Sequence, residues 1–276
     1  MDLIGKAVWY IETHSEGEIT LDTVADAAGL SKFQLVRAFG TRCGLSVMRY
    51  LRARRLSEAA KRLATGEEGI LNVALAAGYN SHEAFTRAFK DQFGLTPEVI
   101  RKARSLDGIK LVEPLKMQET LSSLPEPRIE HGDAMLLVGL RKRYSQATSP
   151  EIPSQWQAFE PHIGSIDKQI EKVTYGILCN SDDDGTIDYC TAVRVKDFAD
   201  IPKGLDGLRV SPQTYAVFRH EGHVSEIRRT WKTIFGPWMS TTPHKLVDAP
   251  QFERYGPSFD PRTGFGEIEI WIPVEA

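Results

Sequence analysis

Val24-Ala25-Asp26-Ala27-Ala28-Gly29 recurs 49 residues further on as Val73-Ala74-Leu75-Ala76-Ala77-Gly78. Just beyond, at an offset of 50, Ser31, Arg37-Ala38-Phe39 and Gly44-Leu45-Ser46 recur as Ser81, Arg87-Ala88-Phe89 and Gly94-Leu95-Thr96. Each copy holds a short alanine-rich helix, a glycine where the chain turns sharply, and a second helix with a capped start. That is the layout of a helix-turn-helix, which lays its second helix in the DNA major groove. Two copies in series imply a single chain that reads two successive grooves without dimerising.

Local signals extend this pattern. Leu3, Ala7, Val8 and Ile11 form one helical face over 3–13. Thr20 caps a helix over 21–28, and Gly29 supplies the turn because a positive φ costs little without a Cβ. Ser31 with Gln34 has capping-box spacing for a first reading helix over 31–40. Val47, Tyr50-Leu51, Leu56, Ala59-Ala60 and Leu63 predict a long helix over 46–64. Its length of roughly 27 Å approaches the ~34 Å between successive major grooves, so it serves as a spacer. The second unit starts near Ile70, turns at Gly78-Tyr79 and restarts with Asn80 and Glu83 in capping-box spacing. Thr96-Pro97 opens a last helix to about Arg104. Residues 106–126, with Pro114, Pro125 and the adjoining Pro127 among several Ser, Glu and Lys, read as an interdomain linker that could include a strand.

Charge supports the DNA reading once the chain is divided. Its net charge is −3, with +2 on residues 1–108 and −5 on 109–276. Within 31–62, Lys32, Arg37, Arg42, Arg49, Arg52, Arg54, Arg55, Lys61 and Arg62 face only Glu58. A local basic patch is what phosphate contact needs, since counterion release acts at the interface. A solvated helix face would look the same; the repeat tips the balance. No apolar run approaches the ~20 residues of a membrane span, and the start lacks a secretory layout. Cys43, Cys179 and Cys190 lack the spacing of a disulfide framework or a structural zinc site. The reading is cytoplasmic, with no membrane partner and no cofactor.

Past residue 127 the apolar period changes from 3.6 to 2. Strands are expected at 129–141, 173–181, 186–196, 213–221, 252–255 and 267–273, and helices at 153–163 and 224–235. Strand, helix, strand, strand thus occurs twice. The fold class is an all-α N-terminal domain of two helix-turn-helix units joined by a long helix, plus an α+β C-terminal domain. The latter is a duplicated βαββ with an antiparallel sheet and helices on one face. The other face is the expected ligand groove. Asp184-Gly185 reads as a two-residue type I′ turn, which places Cys179 opposite Cys190.

The motifs now identify a resemblance. Residues 1–105 resemble the DNA-binding domain of AraC/XylS-type bacterial transcription regulators. Its carriers are Leu21, Val24-Ala25, Ala28-Gly29-Leu30-Ser31, Leu35, Arg37 and Phe39, then Val73-Ala74, Gly78-Tyr79, Ser81, Phe85, Arg87-Ala88-Phe89-Lys90 and Phe93-Gly94-Leu95-Thr96-Pro97. Val47 departs from the proline often found there. Residues 127–276 resemble the GyrI-like effector-binding domain of multidrug-responsive regulators, through Tyr215-Ala216-Val217-Phe218-Arg219-His220, Gly222, Trp231 and Gly266-Glu267-Ile268-Glu269-Ile270-Trp271-Ile272-Pro273. The implied partners are promoter or operator DNA, a small hydrophobic and cationic effector, and RNA polymerase.

Candidate DNA contacts are Phe33, Gln34, Val36 and Arg37 in the first unit, and His82, Glu83, Thr86 and Arg87 in the second. They lie off the inward stripe of Leu35, Phe39, Phe85 and Phe89. Arg37 and Arg87 could instead bond phosphates, and Glu83 could close the capping box. Candidate ligand contacts are Glu269, Trp271, Trp156 and Tyr255. Alternation puts Glu269 and Trp271 on the groove face, and Glu269 matches the acidic residue at the bottom of the GyrI-like pocket. An enclosed carboxylate is relieved by a bound cation, with Trp adding cation–π attraction. An exposed strand glutamate is the plain alternative.

Weaker features carry less. His220 and His223 lack a third metal ligand, and Asp182-Asp183-Asp184-Gly185 lacks the later glutamate of a calcium loop. No nucleophile elbow or phosphate-binding glycine loop occurs, so no catalytic residue is assigned. Two other readings stay open for the C-terminal domain. It could hydrolyse a small molecule with Glu269 and a neighbouring tyrosine, or bind a protein partner.

Overall fold

The computed structural model describes residues 3–15, 17–66, 69–115, 124–145 and 147–275. They form two compact units, residues 3–35 with 45–115 and residues 36–44 with 124–275. The helical region runs α1 (Leu3–His14), α2 (Leu21–Ala28), α3 (Lys32–Cys43), α4 (Val47–Thr65), α5 (Ile70–Ala76), α6 (His82–Phe93) and α7 (Pro97–Ala103). Both helix-turn-helix units and the long connecting helix are therefore present.

The caps explain the boundaries. Thr20 and Thr23 cap α2 reciprocally, and Gly29 ends it in the left-handed region at φ 71°. Ser31 N donates to Gln34 Oε1 at 2.7 Å while Gln34 N donates to Ser31 Oγ at 3.2 Å, which opens α3. In the second unit the cap is Ser81 rather than Asn80: its Oγ accepts from Ala84 N at 3.1 Å. That shift leaves Glu83 one position short of closing a capping box. Leu56, Ala59, Ala60 and Leu63 of α4 pack with Val73, Ala74, Phe85, Phe89 and Ile100 in one core.

The start of the expected linker is built into this unit. Leu106, Ile109 and Leu111 pack on the same core. Val112 N donates to Ser57 Oγ at 2.9 Å, and Leu115 N donates to Tyr50 Oη at 3.0 Å. Arg54, only 6% exposed, donates to Val112 O at 2.6 Å and to both Glu12 and Glu58. A buried guanidinium needs such partners, and here they strap residues 106–115 along α4. Arg55 likewise donates to Ser15 O and Gly17 O. Two of the nine basic residues read as phosphate contacts are thus structural.

The sheet has eight strands: β1 (Arg128–Gly132), β2 (Met135–Tyr144), β3 (Gln169–Cys179), β4 (Ile187–Val195), β5 (Asp206–Val210), β6 (Gln213–His220), β7 (Gln251–Tyr255) and β8 (Ile268–Pro273). Their order is β1-β6-β8-β7-β3-β4-β2-β5, every pair antiparallel. The duplicated pattern is visible in it. With α8 (Ile152–Phe159) and α9 (Ile227–Thr233), β2-α8-β3-β4 mirrors β6-α9-β7-β8 about the β3–β7 pair. The expected strand 129–141 is broken at Asp133-Ala134, and β5 adds an edge. β1 and β2 stand near opposite ends of the sheet order yet are joined by two residues. A link that short spans only about 10 Å, so the sheet must curl until its ends approach. The inside of the curl is filled by Val173, Tyr175, Ile177, Tyr215, Val217 and Phe252, with Trp271 packed against them.

The β3–β4 register differs from the expected one. Ile177 faces Cys190 and Cys179 faces Asp188. The turn is longer than two residues because Asp182 accepts from both the Thr186 amide and hydroxyl. Burial raises both thiols, Cys190 to about 12, so neither offers a thiolate near neutrality. α9 continues beyond its expected end through a π turn, Ile234–Trp238, that contains Pro237. Proline lacks the amide that an α ladder would use there.

Candidate functional site

Alternation along β7 sends Gln251, Glu253 and Tyr255 to the helix-bearing face of the sheet, with Phe252 and Arg254 on the other. Glu253 is 6% exposed. Three neutral donors converge on it: Tyr189 Oη at 2.7 Å and Tyr255 Oη at 3.0 Å on one oxygen, and Trp231 Nε1 at 2.8 Å on the other. Trp156 Nε1 donates to Tyr189 Oη at 3.0 Å, and its ring meets Tyr255 edge-on at 5.1 Å. Helix α9 therefore contributes a tryptophan to the buried carboxylate, and α8 contributes one to its phenol donor Tyr189. Phe235 stacks on Trp231 at 5.9 Å, extending the aromatic wall.

Glycine makes the room. Gly176 faces Glu253 across the β3–β7 pair. A Cβ at Gly176 would fall 2.2 Å from Tyr189 Oη and 2.8 Å from Glu253 Oε2. Burial raises the Glu253 pKa despite its three donors, and pushes both tyrosines well above their ordinary value. The phenols therefore remain donors. The result is an enclosed negative charge hydrogen-bonded by neutral groups, an arrangement that a cation relieves.

Of the four expected ligand residues, the structure brings Trp156 and Tyr255 to this cage and leaves Glu269 and Trp271 on the opposite face. Trp271 stacks on Phe252 at 5.2 Å and meets Tyr215 at 5.5 Å. It also donates to Glu269 Oε2 at 3.0 Å. Glu269 is 7% exposed and paired with Arg128 and Arg254. Its charge is already met, and the curled interior beside it is filled. The buried carboxylate without an ion-pair partner among the described residues is thus Glu253, on the face opposite to the one expected for the groove. Sequence reasoning missed Glu253, Tyr189, Trp231 and Gln251. The available signal was Gln251 and Glu253 alternating with Phe252 in a strand short enough to be wholly internal.

The histidines are locally engaged. His220 pairs through Nδ1 with Thr230 Oγ1 at 2.8 Å and through Nε2 with His223 O at 3.1 Å. Among the described residues no cluster of His, Cys, Asp or Glu could hold a metal ion, and no helix is long and apolar enough to cross a membrane.

In the second reading helix, His82, Glu83 and Arg87 are exposed and Thr86 is half-buried, while Phe85 and Phe89 are fully buried. In α3, Leu35 and Phe39 are buried as expected, but Val36 is buried too. Phe33, Gln34 and Arg37 are half-buried, and the Gln34 amide oxygen is committed to the cap.

Comparison with known proteins agrees with both halves. Residues 24–103 match a helix-turn-helix domain, and residues 125–275 match a GyrI-like small molecule binding domain. The chain is 31% identical over 290 residues to the right origin-binding protein of Escherichia coli (strain K12), covering 99% of this chain and 98% of that protein. It is 30% identical over 291 residues to the transcriptional regulator Rob of Salmonella typhimurium (strain LT2), with the same coverage of 99% and 98%. Its first part is 32% identical over 106 residues to the multiple antibiotic resistance protein MarA of Escherichia coli (strain K12), covering 38% of this chain and 84% of that one.

Proposed function

Because the chain belongs to the Rob- and MarA-type AraC/XylS transcription regulators with a GyrI-like small molecule binding domain, we propose that it senses an amphiphilic cation at the Glu253 cage. The observation that carries this reading is the buried Glu253 carboxylate, held by Tyr189, Tyr255 and Trp231, none of which carries a positive charge. In the reading half, Phe33, Arg37, His82, Glu83, Thr86 and Arg87 contact operator DNA, Arg37 and Arg87 through guanine edges or phosphates. Val36 and Gln34 act more by packing and capping. Residues 1–105 form the reading half, with the strap to 115 attached to it, and 127–276 form the sensing half. RNA polymerase is the protein partner in this scheme.

The site binds rather than turns over its ligand. Both phenols are held protonated, and both Glu253 oxygens already accept hydrogen bonds, which suits fixed recognition better than attack on a substrate.

The test begins with duplexes selected from random DNA by the full-length protein. Titrating them with and without dodecylguanidine, and with its neutral counterpart dodecylurea, should show an affinity change for the cation alone. Uniform, salt-sensitive binding to every duplex contradicts the regulator, and indifference to the cation contradicts the sensor.

A further inference from the structure

Arg37, a residue expected at DNA, reaches the sheet face that carries Glu253. Its Nη2 donates to Gln251 Oε1 at 2.8 Å, and its guanidinium carbon lies 5.8 Å from the centroid of the Phe235 ring. Gln251 and Glu253 are two apart on β7 and share a face. Phe235 stacks on Trp231, whose indole donates to Glu253. The guanidinium thus lies between the aromatic wall and the strand that carries the carboxylate. Burial lowers the Arg37 pKa to about 10, opposed first by Cys179 and then by the negative charge of Glu253.

Its attachment is light. A guanidinium has five N–H donors, and among the described residues one hydrogen bond is made, to Gln251. Glu253 keeps its three donors whether or not Arg37 is present. Gln251 Nε2, on a side chain 1% exposed, is buried with no partner among the described residues. Glu253 therefore keeps its hydrogen bonds without Arg37, and Gln251 is only partly satisfied by it, as expected of an exchangeable occupant. Resting on the Glu253 reading above, we infer that Arg37 is the built-in occupant of the cation site. A ligand with a flat delocalised cation and an apolar tail competes with it. Ligand entry frees Arg37 for DNA, which couples the two activities through one side chain. A ligand shifts such an equilibrium only by its differential affinity for the two arrangements, and competition for one chamber supplies that difference.

The experiment uses the full-length protein with dodecylguanidine as probe and dodecylurea as control. By calorimetry, Arg37→Ala should bind dodecylguanidine about tenfold more tightly than the wild type, because the competing occupant is gone. Dodecylurea binding should not move. On the selected duplex, dodecylguanidine should raise wild-type affinity and leave Arg37→Ala unchanged. Gln251→Leu removes the anchoring oxygen while keeping the volume, so it should raise DNA affinity without any probe, with thermal unfolding confirming the fold. Equal dodecylguanidine affinity in wild type and Arg37→Ala, with unchanged DNA affinity in Gln251→Leu, overturns the inference and leaves the Glu253 site standing. Absence of dodecylguanidine binding to both wild type and Arg37→Ala overturns the site itself.

Discussion

Glu253 and Glu269 occupy adjacent antiparallel strands with their carboxylates on opposite faces, because the cross-strand neighbour of Glu269 is Arg254 and that of Glu253 is Ile270. The two are almost equally buried, at 6% and 7% exposed. Their electrostatics differ. Glu269 has Arg128 and Arg254, whereas the donors on Glu253 are two phenols and an indole. This difference is what favours Glu253 over Glu269 in the proposed scheme.

Acidification should weaken cation binding. Burial holds the folded-state pKa of Glu253 above 4.5. For stability, a raised carboxylate contributes below its unfolded value and loses that contribution as pH rises through the folded one. Ligand affinity has the opposite sign, since it needs the ionised form while the guanidinium stays charged throughout. Dodecylguanidine affinity should rise with pH through the folded value and then level off. A flat profile over about pH 4–8 would show that the charge plays no part.

Gly176→Ala should damage the site and the fold together. The new methyl must displace Tyr189 Oη, 2.2 Å away, and crowd Glu253. A loss of about 1–3 kcal/mol in urea unfolding is expected, with weaker dodecylguanidine binding. Unchanged stability with tighter binding would mean that the strands part easily here.

Arg54→Ala should loosen the strap along α4. Removing one partner of an enclosed ion pair costs about 3–5 kcal/mol. The Glu12 side chain retains 21% exposure, so the lower end of that range is the expected loss. The Val112 and Leu115 amides should exchange hydrogen faster in the variant. If their protection is unchanged, the strap holds without this knot.

In the second reading helix, Arg87→Ala should lower affinity for the selected duplex by about 1–3 kcal/mol and relax sequence preference in one half of the site. Equal loss on every duplex would assign Arg87 to phosphate instead.

The helical half was legible because its punctuation is local. Thr20, Gly29, Ser31 and Gln34 act on amides within four residues, so spacing alone reveals them. Asn80 and Ser81 are adjacent residues that both suit a cap, and sequence could not choose between them. The sheet was legible in its duplication but not in its joints. The break at Asp133-Ala134 is marked only by Gly132 at the end of β1, and Asp182 lengthens the next turn through side-chain bonds that no turn dipeptide announces. Alternation assigned Glu269 a face correctly, yet it could not show that Arg128, 141 residues away, neutralises it. The cage stayed hidden for the same reason: Tyr189, Trp231 and Glu253 meet only through tertiary pairing.

Calorimetric titration of the full-length protein with dodecylguanidine and dodecylurea, repeated on Glu253→Gln and Glu269→Gln, tests the cation-sensing claim most directly. Glu253→Gln keeps the shape and removes the charge, so it should weaken dodecylguanidine at least about tenfold, or ~1.4 kcal/mol, and leave dodecylurea nearly unchanged. Glu269→Gln should have little effect on either. Equal losses for both compounds in Glu253→Gln, or a selective loss of the cation in Glu269→Gln alone, would contradict the assignment.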